Sequence, residues 1–365
     1  MKFKASREEL LKPLQSIIGV VERRQTMPIL ANFLLKVENG ALWVTASDME
    51  IQIIAKIKVD VESDGETTIP GRKLVDICRA LPVDAPISLS LKGDRVQVQS
   101  GRSRFTLSTL KATDFPVLED IKARQTVRLP QKELKHLLEK TAFAMAHQDV
   151  RYYLNGLAIE VFGNQLRSVA TDGHRLALCE VDVSTVEGAG QQVIVPRKAV
   201  IELQRLLADE GDIEMRIGQQ HIQAVIGDVQ FTSKLVDGRF PDYERVIPAE
   251  AGTSVTADRE SLREALQRTA ILSNEKYRGI RLELKDNLVH IQANNPEQEE
   301  AEEDVEVEYQ GDDMTIGFNV NYLLDALSAV ESDQVEVGVT DANNSCIVRE
   351  PGVDYYKYVV MPMRI

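Results

Sequence analysis

The feature that most constrains this chain is a repeat at about one third of its length. Ile69-Pro70-Gly71-Arg72-Lys73-Leu74-Val75 recurs as Ile194-Val195-Pro196-Arg197-Lys198-Ala199-Val200, 125 positions on from Arg-Lys to Arg-Lys, and more faintly as Ile316-Gly317-Phe318-Asn319-Val320-Asn321-Tyr322-Leu323-Leu324. Trp43-Val44-Thr45-Ala46-Ser47-Asp48 is echoed by Arg167-Ser168-Val169-Ala170-Thr171-Asp172, then by Val289-His290-Ile291-Gln292-Ala293-Asn294-Asn295, at steps of 124 and 123. Arg104-Phe105-Thr106-Leu107 with Phe115-Pro116 matches Gln230-Phe231-Thr232-Ser233 with Phe240-Pro241. A unit repeated at fixed period must fold three times over. The 365 residues also exceed what one core organises. Three domains are expected, over 1–120, 121–248 and 249–365.

Each copy runs in the same order: a helix, alternating strands, a second helix, more strands. Ser6-Arg7-Glu8-Glu9 has the form of a capping box, and Leu10, Leu11, Leu14, Ile17 and Ile18 follow at helical spacing. Ile51, Ile53, Ala55 and Ile57 alternate with other residues as a strand with one buried face does. The spacing predicts helices over 6–18, 71–80, 131–142, 197–208, 259–270 and 319–330. The fold class is α+β, each domain carrying two helices packed on antiparallel sheets. Linkers around 116–122 and 248–253 are short and bear Pro or mixed charge, so closely packed domains are expected.

Several function classes fall away. Apolar residues make up 43% and charged ones 27%, an ordinary globular balance. Stretches without a charged side chain, such as 25–35, run only 11 residues, short of the ~18 a spanning helix needs. The N-terminus lacks the apolar core of a secretion signal, so a cytoplasmic protein is expected. Cys78, Cys179 and Cys346 are odd in number, far apart and without metal-ligand spacing; they read as buried thiols, with no metal and no cofactor.

A net charge of −14 has the wrong sign for a nucleic-acid binder if read as an average. The six predicted helices, however, sum to +5, leaving −19 for the rest. Acidic strand loops beside mixed helices explain this blandly; a polyanion touching only the helices explains it sharply. Lysine and arginine near phosphates gain by counterion release without reading sequence. Nothing here has the form of a recognition helix, zinc finger or basic arm.

Two strings, Ala146-His147-Gln148-Asp149-Val150-Arg151-Tyr152-Tyr153-Leu154-Asn155-Gly156 and Ala170-Thr171-Asp172-Gly173-His174-Arg175-Leu176, resemble the bacterial DNA polymerase III beta subunit family, the sliding clamps. Phe231 to Tyr243, Asn294 to Glu303 and the terminal Val359 to Arg364 extend the likeness through all three copies. The resemblance implies a head-to-tail homodimeric ring with helices lining the hole. It further implies a processivity factor without catalytic activity, opened by a loader on primed double-stranded DNA.

By the same resemblance, DNA contact falls to Arg24, Arg72, Lys73, Gln148, Tyr152 and Tyr153, and by repeat symmetry to Arg197 and Lys198. For the tyrosines the plain alternative is packing at a strand start. A hydrophobic pocket for short peptides falls to Leu154, Thr171, Gly173, His174, Arg175, Leu176, Pro241, Arg245 and Val246, with Asn319, Tyr322, Val359, Met361, Pro362, Met363 and Arg364 from the third copy. Its partners would be the DNA polymerase III alpha subunit, clamp-loader subunits and other polymerases, bound through leucine or phenylalanine anchors. Asn343 and Asn344 are left unassigned. The acidic run from Glu297 to Glu308 is ordinarily a solvated loop. In the family Glu297, Glu299, Glu300 and Glu303 face basic residues of the partner subunit, here Arg102 and Arg104, while Phe105 and Leu107 pack on Ile271 and Leu272.

Two rival readings stand beside this one. A non-encircling peptide-binding scaffold would leave helix-face charge without effect. A hydrolase would use His174 flanked by Asp172, with Ser168 or Thr171 as nucleophile, but the sequence has no nucleophile elbow or glycine loop around it.

Overall fold

A computed structural model of the chain describes residues 1–21, 27–119, 121–248 and 252–364. Its six α-helices are α1 (Arg7–Ile17), α2 (Gly71–Ala80), α3 (Gln131–Thr141), α4 (Arg197–Leu206), α5 (Arg259–Ala270) and α6 (Val320–Ala329). The predicted spans agree to within two residues, because local chemistry sets the ends. Ser6 Oγ accepts from the Glu9 amide at 3.2 Å while Glu9 Oε2 accepts from the Ser6 amide at 2.7 Å, closing the capping box of α1. Asp258 Oδ1 caps α5 through the Ser261 amide at 2.8 Å, and Asn319 Oδ1 caps α6 through the Asn321 amide at 2.9 Å. Leu10, Leu14 and Ile17 of α1, and Leu262, Ala265 and Leu266 of α5, form buried stripes.

Four antiparallel sheets carry these helices, and the chain divides into two compact units. The first comprises residues 1–135, 183–191 and 198–235. It holds a five-stranded sheet ordered 60–63, 2–6, 86–92, 95–100, 103–108. Its nine-stranded sheet is ordered 185–188, 125–130, 212–217, 221–226, 229–234, 51–58, 41–47, 32–38, 65–70. The second unit comprises residues 136–182, 192–197 and 236–365. Its eight-stranded sheet is ordered 192–196, 156–162, 165–171, 175–182, 356–360, 346–349, 334–339, 253–258, and its four-stranded sheet 300–306, 288–294, 279–285, 314–319.

The two large sheets arise in one way. In the first unit, Val229–Lys234 of the second repeat pairs with Ile51–Lys58 of the first, with Thr232 opposite Gln52. In the second unit, Tyr356–Val360 of the third repeat pairs with Arg175–Asp182 of the second, with Val359 opposite Leu176. Continuous pairing between repeats explains why the central third of the chain is divided between the two units. The remaining five and four strands correspond in order to the two halves of the nine-stranded sheet. Ser103–Ser108 and Glu300–Glu306, each at one end of its sheet, have no neighbour on the outer side among the described residues.

The three cysteines are buried, and burial pushes their thiols up, Cys78 to about 11 and Cys179 and Cys346 to about 12. Among the described residues no group of three or more His, Cys, Asp or Glu side chains could hold a metal ion, and no helix is long and apolar enough to cross a membrane.

Candidate peptide pocket and nucleic-acid face

In the second unit, the turn between strands 165–171 and 175–182, the short helical turn Tyr152–Leu154 and the end of strand 356–360 enclose a cavity of about 240 Å³. Leu154, Thr171, Gly173, Arg175, Leu176, Pro241, Val246, Val359 and Met361 line it, with Arg151, Tyr153 and Tyr243. Beneath lies a core of Ala158, Val169, Leu178, Ile194 and Phe240. Depth, apolar lining and a few polar groups suit an apolar peptide anchor.

The turn is built by side-chain bonds to backbone. Asp172 Oδ1 accepts from the amides of His174 at 2.9 Å and Arg175 at 3.1 Å, and Thr171 Oγ1 accepts from the Gly173 amide at 3.1 Å. Gly173 has φ +88, a left-handed conformation open to glycine. A Cβ there would meet Arg151 Nη1 at 2.8 Å.

Arg175 acts largely as a strut. Its Nε donates to Asp172 Oδ2 at 3.0 Å, Nη2 to the Phe143 carbonyl at 2.8 Å, and Nη1 to Asp325, while the guanidinium lies 4.6 Å from the Tyr322 ring centroid. Tyr243 donates to Glu160 at 3.0 Å and accepts from Arg167 at 2.8 Å; burial pushes its phenol up to about 12. The pairing of Arg151 with Asp149, Nη2 to Oδ2 at 2.8 Å, lowers that carboxyl to about 2. Arg151 and Tyr243 were not anticipated. An Asp-x-Arg spacing at 149–151 was the available signal for the first; none marks the second, which reaches the cavity from the short helical turn Tyr243–Arg245.

His174, Arg245, Asn319, Tyr322, Pro362, Met363 and Arg364 do not line this cavity. His174 stacks on Tyr322, centroids 6.5 Å apart, and its carbonyl accepts from the Met361 amide at 2.9 Å. Met363 bonds its amide to the Gly317 carbonyl at 2.8 Å, Asn319 caps α6, and Arg245 pairs with Asp242 at 2.7 Å on the surface. Ser168 is fully buried and bonded to Thr141 Oγ1 at 2.8 Å; Thr171 Oγ1 donates to the Arg175 carbonyl at 2.6 Å. Asp172 is occupied by amides and Arg175, so it does not orient the His174 ring. Asn343 and Asn344 donate their amides to Asp341 in an exposed turn.

The residues expected at DNA divide. Arg24 lies outside the described residues. Lys73 and Gln148 are exposed, as is Tyr152, which meets Tyr153 edge-on at 5.8 Å, while Tyr153 faces the cavity. Arg72 donates to the Val21 carbonyl at 2.5 Å, Arg197 to the Met145 carbonyl at 3.1 Å, and Lys198 pairs with Asp48 at 2.6 Å. Much of the helix charge thus also holds the fold. At the unpaired edges, Arg102, Arg104, Glu297, Glu299 and Glu300 are exposed and Phe105 is half-buried. Leu107 is buried against its own sheet, and Glu303 is taken by Arg268, Oε1 to Nη2 at 2.5 Å. Ile271, 75% exposed at the end of α5, is an apolar side chain in water beside half-buried Leu272.

Models of the DNA polymerase III beta subunit match in sequence: the N-terminal domain over 1–119, the central domain over 128–242 and the C-terminal domain over 244–364. The chain is 53% identical to the beta sliding clamp of Pseudomonas aeruginosa over 367 residues and 50% identical to that of Escherichia coli over 368, covering 100% of both partners each time. Among solved structures, the DNA polymerase III subunit beta of Pseudomonas aeruginosa superposes with TM-score 0.98 at 53% identity, and a sliding clamp from the same organism bound to griselimycin with TM-score 0.97 at 53%, each covering 100% of both chains. This chain therefore belongs to the DNA polymerase III beta subunit family, the beta sliding clamps.

Proposed function

We propose that two copies of this chain close head to tail into a ring around duplex DNA and tether polymerases and loader subunits through the Leu154–Met361 pocket. The observation that carries this reading is a strand pairing made twice inside the chain and left open once. Docking Ser103–Ser108 of one copy on Glu300–Glu306 of another would turn five and four strands into a second nine-stranded sheet, beside the nine- and eight-stranded sheets that the chain builds by itself. A heterologous contact of this kind closes when the rotation allows, and two chains of three repeats supply six positions.

The internal pairings also support one register for that contact. Gln52 and Leu176 follow their turns as Glu300 does, since Ser47, Thr171 and Asn294 are their respective partners. Thr106 matches Thr232, so Thr106 should face Glu300, with Phe105 opposite Ala301 and Arg104 opposite Glu302. This shifts the ion pairing toward Glu300 and Glu302. Exposed pairs contribute only ~0–1 kcal/mol each and chiefly fix partner and register, leaving Phe105, Ile271 and Leu272 to stabilise closure.

Three clamp domains, a cytoplasmic site of action and the absence of catalysis belong to the same reading. It is supported by the internal repeat and by the structural bonds that occupy Ser168, Thr171 and Asp172. Topology, rather than affinity, would hold the ring. Loading onto nicked circular DNA with the cognate loader and ATP, followed by a high-salt wash, tests it: retention on circles and loss after linearisation is expected. Equal retention on both forms would instead mean that contact holds the protein.

A further inference from the structure

The first unit contains the counterpart of the pocket's turn, with four of its hydrogen bonds repeated. Asp48 Oδ1 accepts from the Glu50 amide at 2.9 Å and the Ile51 amide at 2.7 Å, as Asp172 does from His174 and Arg175. Ser47 Oγ accepts from Met49 at 3.1 Å, as Thr171 Oγ1 does from Gly173. The Lys234 amide donates to the Glu50 carbonyl at 2.8 Å, as Met361 does to His174. The walls are kept too: Leu30, buried at 2% exposure, and Phe115 at 5% stand where Leu154 and Phe240 stand.

What differs is the turn, the floor and the rim. At the left-handed turn residue the first unit has Met49, φ +73, in place of Gly173, φ +88. A side chain in that conformation is uncommon outside glycine, asparagine and aspartate, so the turn is kept although its residue does not favour it. The floor pair Leu176 and Val359 becomes Gln52 and Thr232, both buried and both bonded, Gln52 Oε1 to the Leu118 amide at 2.9 Å and Thr232 Oγ1 to Gln223 at 3.3 Å. At the rim Met361 becomes Lys234, which is exposed. An apolar anchor entering here would meet a methionine at the mouth and amide and hydroxyl groups below, whose desolvation it could not offset.

We infer that Met49, Gln52, Thr232 and Lys234 are specificity determinants that close a duplicate peptide pocket, limiting each chain to one docking site. This rests on the pocket reading above, and griselimycin serves as the probe. Calorimetric titration should give one site per chain for the wild type, none for Gly173→Met, and two for the variant combining Met49→Gly, Gln52→Leu, Thr232→Val and Lys234→Met. Adding Gly173→Met to that variant should return the count to one. Two sites in the wild type, or one in the folded fourfold variant, overturns the inference while leaving the pocket reading intact. No site in the wild type overturns both. Should the fourfold variant fail to fold, Gly173→Met decides alone: stoichiometric binding by a folded Gly173→Met chain shows that a methionine at this turn does not close a pocket.

Discussion

Arg175 belongs as much to the scaffold behind the cavity as to its lining. It is 12% exposed at the side chain, with Asp172 at 16%, so removing it strands a largely buried carboxylate and frees the Phe143 carbonyl. Arg175→Ala should cost about 2–4 kcal/mol of stability, read from urea denaturation, as well as weaken peptide binding; a loss of binding at unchanged stability would make it a reader of peptide instead. Glu202 of α4 shows a second residue-scale conflict. Burial raises its carboxyl above the ordinary value, Arg205 and Lys198 opposing, and its Oε2 lies 2.3 Å from where a Cβ on Gly19 would stand. A raised carboxyl favours the neutral form in the fold. Its stabilising contribution is therefore full below the unfolded pKa and lost as pH rises through the folded one. Glu202→Gln should raise Tm at pH 8, by ~2–4 °C per kcal/mol relieved, and the gain should vanish by about pH 4; a gain independent of pH would exclude the charge as its cause. Neither role was legible in sequence. Arg175 stood only as a wall residue and Glu202 only as one charge in the sum over its helix, because their surroundings include Asp325 and Gly19, 150 and 183 positions away.

At the scale of elements the sequence was more transparent. The start of α1 followed from Ser6, and Asp258 and Asn319 cap α5 and α6 through bonds that are just as local, only a few residues away. Strand order was not readable. Nothing local says that 229–234 lies beside 51–58, or that 103–108 lacks a neighbour. The proposed register makes a sharp test. Directly opposed antiparallel residues have Cα atoms ~4.5–5.5 Å apart, inside the disulfide range, and successive residues point to opposite faces. Arg104→Cys with Glu302→Cys should crosslink dimers under mild oxidation, whereas Arg104→Cys with Glu303→Cys should not; crosslinking of the second pair alone would shift the strand by one residue. Ile271→Ala with Leu272→Ala should move the chain toward monomer, since the apolar contact outweighs the ion pairs. A double variant still dimeric at micromolar concentration in sedimentation would place the interface elsewhere.

At the scale of the whole molecule, the repeat carried most of what could be read in advance, because a threefold period forces a threefold fold. The reading of helix charge needs revision in kind. Arg72, Arg197 and Lys198 are bonded within the fold, so helices with net positive charge are not simply rows of free cations. A guanidinium that gives one N–H to a carbonyl keeps its charge and its other donors, so these residues can hold the fold and meet phosphate together, and the salt response separates a ring from a surface binder. A protein held by 6–10 phosphate contacts loses about 10³–10⁵ in affinity between 50 and 200 mM salt. A closed ring on a circle has no end to leave by, so its residence should be nearly indifferent to that change. Its run-off from cut DNA should speed up as contacts weaken. Lys73→Glu should accelerate run-off from linear DNA at low salt while leaving retention on circles unchanged, measured by fluorescence of the labelled protein on both forms. If Lys73→Glu releases the protein from circles as fast as from cut DNA, the ring opens too readily for topology to be what holds it.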